Sequence, residues 1–177
     1  MASNFKKDLA KAKVGEQAVL EVLNNTNSGW LFFDVSDDEE CYYKGDIEAY
    51  DIDTGSLFID VKMDSRIAET GNVLCEHKVY NYKTGEYLKG NMQSHYDYMA
   101  IISVSAKKIW IIDFKVLQEH YKEGKHYYKD HYDDYGNLQQ KTLGTLCSLE
   151  KIRRWGGLLY TIEYDEVKNP VKIEKIA

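Results

Sequence analysis

Two alternating stretches joined by a turn constrain this chain more than any other feature. Lys44-Gly45-Asp46-Ile47-Glu48-Ala49-Tyr50 and Ser56-Leu57-Phe58-Ile59-Asp60-Val61-Lys62-Met63-Asp64 each alternate apolar and polar residues, the two-residue period of a half-buried strand. The link between them, Asp51-Ile52-Asp53-Thr54-Gly55, has turn chemistry, so the pair predicts a β-hairpin. The same period puts Asp60 and Lys62 on one face of the second strand. In such a hairpin Asp46, Asp60 and Lys62 converge at one end. Two carboxylates and an ammonium together are what a hard divalent cation and a water nucleophile need.

The rest of the chain reads as a frame for that hairpin. Phe5, Leu9, Val14, Ala18, Val19, Val22 and Leu23 predict a helix over residues 3–24, capped by Ser3 or Asn4, with Gly15 interrupting it or starting a second helix. Glu16 and Glu21 lie in it; Glu21 reads as solvated, whereas Glu16 is either solvated or aimed at the hairpin. Residues 30–36 predict a short strand, 37–40 a solvated acidic loop, 65–72 a loop with a Gly71-Asn72 turn, 73–80 a third strand and 82–87 a hairpin tip. The apolar, β-branched run 109–114 predicts a buried strand, following 101–104, and 115–121 a helix. Residues 120–141, rich in Lys, His, Tyr and Asp, read as an exposed connection. Ser148 caps a helix that Gly156-Gly157 breaks; 158–164 is the last strand, and a short tail follows Pro170. A length of 177 residues without repeats or linkers predicts one α/β or α+β domain over 1–177.

Charge and cysteine usage narrow the function classes. A net charge of −6 excludes DNA binding by bulk charge, but leaves room for a nucleic-acid enzyme with a local basic groove and an acidic metal site. Lys107-Lys108 and Arg153-Arg154 are the candidate phosphate contacts. Their ordinary readings are a solvated pair and, with Trp155, helix-end packing. Cys41, Cys75 and Cys147 are an odd set without a CxxC pair, which argues against a disulfide framework or structural zinc and fits a reducing cytoplasm. The five histidines lack zinc spacing. No apolar run approaches the ~18 residues of a membrane span, and the first eight residues lack an apolar signal core. The fifteen tyrosines read as packing residues with polar tips, or as stacking platforms for bases.

The order of these features resembles the PD-(D/E)XK nuclease superfamily. A helical Gly15-Glu16 is followed by Asp46 on a strand and then by Asp60-Val61-Lys62, with Asp where Glu is commoner. It is similar to a small bacterial and phage subgroup through Lys62, Asp64, Thr70-Gly71-Asn72, Glu76 and Ser94…Asp97-Tyr98 before an apolar strand. The resemblance covers about residues 14–117 and leaves the C-terminal third unmatched; Gly45 stands where the family commonly has proline. It implies a restriction-endonuclease-like mixed β-sheet core flanked by helices, and metal-dependent phosphodiester cleavage of DNA, with RNA left open. Asp46, Asp60 and Lys62 would be catalytic. Mg²⁺, or Mn²⁺ in its place, would be held by Asp46, Asp60, the Val61 carbonyl and Glu16. Glu76, Asp64 and Asn72 would support the site. The setting would be the cytoplasm of a bacterial or phage-infected cell, and a homodimer is the simplest route to a double-strand cut.

Two other readings stand beside this one. A nuclease fold that has lost catalysis would serve as a nucleic-acid-binding or assembly subunit. A generic α/β protein would carry the Asp/Lys pattern as surface charge. Geometry discriminates: a nuclease needs the Asp46 and Asp60 carboxyls close enough to share one cation, with the Lys62 ammonium beside them.

Overall fold

The hairpin forms in the expected register. In the computed structural model, which describes residues 2–38, 44–133 and 135–177 with side chains from residue 10 onward, β2 (Ile47–Asp51) pairs antiparallel with β3 (Gly55–Met63), from Ile47 opposite Ile59 to Asp51 opposite Gly55. The turn is closed by the Asp51 carboxylate, which accepts from the backbone N–H groups of Asp53 at 3.1 Å and Thr54 at 2.9 Å. That is the local chemistry for which aspartate is favoured in turns. β1 (Leu31–Asp34) adds on the outer side of β2. The acidic run and the Cys41-Tyr42-Tyr43 entry to the hairpin fall partly or wholly outside the described residues, at 39–43.

On its other side β3 runs parallel to β6 (Tyr98–Ser103), which pairs antiparallel with β7 (Lys108–Asp113). Both are buried on both faces, and so their sequences are nearly unbroken apolar runs. β10 (Leu158–Tyr164) and β11 (Pro170–Lys175) complete a seven-stranded sheet of order β1-β2-β3-β6-β7-β10-β11. Phe32 near one edge and Ile173 near the other line a single cavity, so the sheet curls toward closure.

The two faces of this sheet carry two cores. Ile59 and Val61 on β3, Ala100 and Ile102 on β6, and Ile109 and Ile111 on β7 meet Ala18, Val19, Val22 and Leu23 of α1 (Ala2–Asn24). Met99, Ile101, Trp110 and Ile112 point the other way, to a second core. That core is closed by a four-stranded sheet of order β5-β4-β9-β8 and by α3 (Phe114–His120) and α4 (Leu149–Arg154). In the second sheet the strands are β4 (Asn72–Asn81), β5 (Glu86–Lys89), β8 (Lys125–Tyr132) and β9 (Leu138–Ser148). The result is a mixed α+β architecture in three layers.

Several expectations need correction. The first helix already contains residues 3 and 4, so neither caps it, and Gly15 does not break it. Residues 67–70 form a short helix, α2 (Ile67–Thr70), closed by Gly71 at φ +61°. The strand at 73–80 belongs to the second sheet, and β6 takes the place beside β3. Residues 120–141 are largely strand: β8 and the start of β9 pair from Lys125 opposite Leu146 to Tyr132 opposite Leu138. The segment after Pro170 is β11.

Ser148 caps α4 as expected, its hydroxyl accepting from the Lys151 N–H at 3.2 Å. Ser148→Ala is expected to cost about 1 kcal/mol. Thermal unfolding should show a fall in Tm of ~2–4 °C.

Candidate active site

The site is built where β2 leaves β3. β2 stops at Ile47, opposite Ile59, while β3 continues to Met63 with β6 on its other side. Residues 60–63 therefore have one open edge, and Asp46 occupies it. Its N–H donates to the Ile59 carbonyl at 2.9 Å, and its carboxylate Oδ2 accepts from the Val61 N–H at 2.7 Å. A strand residue presents its N–H and C=O to the same neighbour. The Val61 carbonyl thus lies on the Asp46 edge.

The turn into this position depends on Gly45. Its φ is +145°, and a Cβ there would sit 2.8 Å from the Ile59 carbonyl oxygen. The close approach that puts Asp46 beside Val61 leaves no room for a side chain.

A second glycine brings in Glu16. A Cβ at Gly15 would meet Met63 Cβ at 3.3 Å and Ile102 Cγ2 at 3.4 Å, so α1 crosses β3 and β6 at close range there. Glu16 follows directly and lines a cleft of about 380 Å³ together with Lys11, Asp46, Val61, Lys62 and Met63. Its side chain is 12% exposed and lies 3.6 Å from the Lys13 ammonium, but Oε2 is buried without a hydrogen-bond partner. Burial first, then the Asp46 charge, push the Glu16 carboxyl above its ordinary value, with Lys13 opposing.

Asp60 and Lys62 form a closed pair. The ammonium is 3.0 Å from Oδ1, as a hydrogen bond, and 2.9 Å from Oδ2, which gains an ion-pair contact without hydrogen-bond geometry. Asp60 is 14% exposed and Lys62 44%. Burial raises the Asp60 carboxyl, Lys62 pulls it down and Asp46 adds to the rise, for a net upward shift. Desolvation works to lower Lys62, but Asp60, Asp46 and Glu76 outweigh it and its pKa rises. The Tyr96 hydroxyl near Asp60 is buried and lacks a hydrogen-bond partner, and its acidity is reduced by burial and by that carboxylate.

The supporting residues divide. Asp64 closes the turn after β3, accepting from the Arg66 N–H at 2.8 Å while its own N–H donates to Ile102. Asn72 opens β4 and donates from its amide to the Thr70 carbonyl at 3.0 Å. Both are turn-builders in the structure. Glu76 is on the second sheet, near enough to act on Lys62. Lys107 is ion-paired with Glu166, and Lys108 with Glu163 at 2.9 Å. Arg153 and Arg154 end α4, with Arg154 at 3.7 Å from Glu150 and Trp155 stacked on His120 at 5.2 Å; none of these lines the cleft. Lys11 was missed, although it stands four residues before the sheet-facing Gly15 and so shares its helix face.

As they stand, no three His, Cys, Asp or Glu side chains among the described residues are gathered tightly enough to hold a metal ion. The donors nevertheless suit a hard cation: carboxylate and carbonyl oxygens, two of them buried and unsatisfied. Comparison with known proteins returned no match to a family model, a curated protein or a solved structure. No helix among the described residues is long and apolar enough to cross a membrane.

Glu16 carries a stability prediction. Its folded-state pKa is raised, so its contribution is fully present below the unfolded value of 4.5 and is lost as the pH rises through the folded value. Glu16→Gln removes a carboxylate held against Asp46, and Lys13 keeps its 2.9 Å bond to Asp37. The variant is expected to be more stable than wild type at pH 7 by about 0.5–2 kcal/mol. Urea unfolding should show that gain vanish below pH 4.5.

Proposed function

We propose that the chain is a Mg²⁺-dependent nuclease of the PD-(D/E)XK type, on a restriction-endonuclease-like core, hydrolysing phosphodiester bonds in DNA. One observation carries the reading: Asp46 takes the Val61 N–H at the open edge of β3, and this joins the two carboxylates, a backbone carbonyl and Lys62 at one point. Glu16 reaches the same cleft from α1.

Asp46, Asp60 and the Val61 carbonyl would hold the ion, with Glu16 completing the set. A bound Mg²⁺ supplies charge to the scissile phosphate and lowers the pKa of a coordinated water. Asp46 is held in place by its backbone hydrogen bonds, so it is a fixed ligand. Asp60 is fixed by its strand and freed as a ligand once Lys62 moves from it to the substrate. Lys62, cationic with a raised pKa, orients the attacking water or neutralises charge growing on the phosphate. Its 44% exposure leaves it room to turn toward a phosphate. Lys11 at the cleft wall would hold the nucleic-acid backbone without reading sequence.

The second reading, a nuclease-fold subunit without catalysis, is favoured by the closed Asp60–Lys62 pair and by the lack of a ready three-ligand group among the described residues. Cleavage separates the two. Incubation with circular and linear DNA and with RNA is expected to give cuts in Mg²⁺ or Mn²⁺ and none in excess chelator. Asp46→Asn, which keeps an oxygen for the Val61 N–H, should fold normally and cleave at least about 10²-fold more slowly. Binding of nucleic acid without cleavage in either metal would establish the subunit reading.

A further inference from the structure

A second cavity lies toward the other end of α1. The helix stops at Asn24, but the concave face of the curled sheet continues past it. The space left is about 550 Å³, within the ~300–1,000 Å³ usual for small-ligand sites. Its walls come from both edges of the sheet and from the middle: Phe32 on β1, Leu57 on β3, Tyr98 on β6, Tyr160 on β10 and Ile173 on β11. Phe32, Leu57, Tyr98 and Tyr160 are only partly buried, although they abut the fully buried core. The face is thus apolar and aromatic, and incompletely covered by the chain itself.

Its polar groups have one sign. No acidic side chain lines the cavity, and Lys175 is its single cationic side chain. Lys175 stands opposite Tyr160 in the β10–β11 register and makes no ion pair among the described residues, whereas its neighbour Lys172 pairs with Glu174 at 3.6 Å. The Tyr98 and Tyr160 hydroxyls likewise have no hydrogen-bond partner among the described residues; the two rings are near enough for Tyr160 to act on Tyr98. An apolar chamber with one free ammonium and two free hydroxyls is complementary to an apolar body that ends in an anion.

We infer that this cavity binds a small amphipathic acid, its apolar body seated among Phe32, Leu57 and Tyr98 and its carboxylate at Lys175. The site is independent of the nuclease reading, and its test needs neither metal nor nucleic acid. Decanoate and its neutral counterpart decanol are titrated into the full chain, followed by tryptophan fluorescence, to which Trp30 in the cavity wall contributes, and by calorimetry. Decanoate is expected to bind one-to-one and about 3- to 10-fold more tightly than decanol. Lys175→Gln should abolish that difference. Ile173→Trp, at a rim position 48% exposed and therefore tolerant of a larger side chain, should weaken both ligands by about tenfold or more. Three results would each overturn the proposal: no saturable binding of decanoate, equal affinity for the acid and the alcohol, or binding indifferent to Ile173→Trp.

Discussion

Lys62→Ala should lose cleavage by about 10²–10³-fold, the loss typical when one preorganised charge-stabilising group is removed from a hydrolytic site. The same substitution should also destabilise the fold, because Asp60 is then a 14%-exposed carboxylate without its counter-charge. Breaking a fully buried pair costs about 3–5 kcal/mol. Lys62 is 44% exposed, and solvent screening brings the expected cost down to about 1–2 kcal/mol. The sign of the pH dependence follows from the causes. Burial and Asp46 both raise the Asp60 carboxyl, and Lys62 is what opposes them. Without Lys62 the folded-state pKa rises further, so the lost stability returns as the pH falls through it. A Lys62→Ala, Asp60→Asn double variant should regain stability at neutral pH and remain inactive. Urea unfolding read beside cleavage separates the two roles. A Lys62→Ala protein that cuts at the wild-type rate would assign the activity elsewhere.

Gly45→Ala should produce the largest loss of stability. The position has φ +145°, which L-residues rarely adopt, and the new Cβ would lie 2.8 Å from the Ile59 oxygen and 2.9 Å from its carbonyl carbon. These are backbone atoms of the central strand β3 and cannot swing aside. Strain of this kind costs about 1–3 kcal/mol, and the clash adds to it, so a loss of about 2–4 kcal/mol is expected. Relief of the clash pushes residue 46 off the β3 edge, so the Val61 N–H should lose its carboxylate acceptor. Hydrogen exchange at the Val61 amide would report this directly, rising in Gly45→Ala and staying protected in wild type. Proline, common before this aspartate in the family the motif resembles, would be worse here, since its ring fixes φ near about −65°. The departure from the family pattern is therefore built into how this chain turns.

The hairpin and α1 were legible because their periods are strong and local. Ile47 and Ala49 alternate against Ile59 and Val61, and the turn chemistry of Asp51 fixes the register. Ser148 was readable as a cap for the same local reason. The second sheet was not, because its signals are tertiary. β8 carries Lys, His, Tyr and Asp in place of aliphatics, and its exposed side chains earn no apolar pattern; pairing with β9 makes it a strand. β4 has the letters of a third strand, but nothing local says which sheet it joins. At the site, Asp46, Asp60 and Lys62 could be placed by period alone. The close crossing at Gly15 that delivers Glu16 is a packing fact, and the approach of the buried Tyr96 hydroxyl to Asp60 leaves no trace in spacing.

The central claim is that Asp46 and Asp60 share a cation at the open edge of β3. Crystals of the wild-type chain soaked in Mn²⁺, with anomalous difference density measured at a wavelength where manganese scatters, test it most directly. The account predicts a peak between the two carboxylates, within bonding reach of the Val61 carbonyl and with the Lys62 ammonium displaced from Asp60. An intact Asp60–Lys62 pair with no peak in the cleft, under soaking that loads other sites, would contradict it.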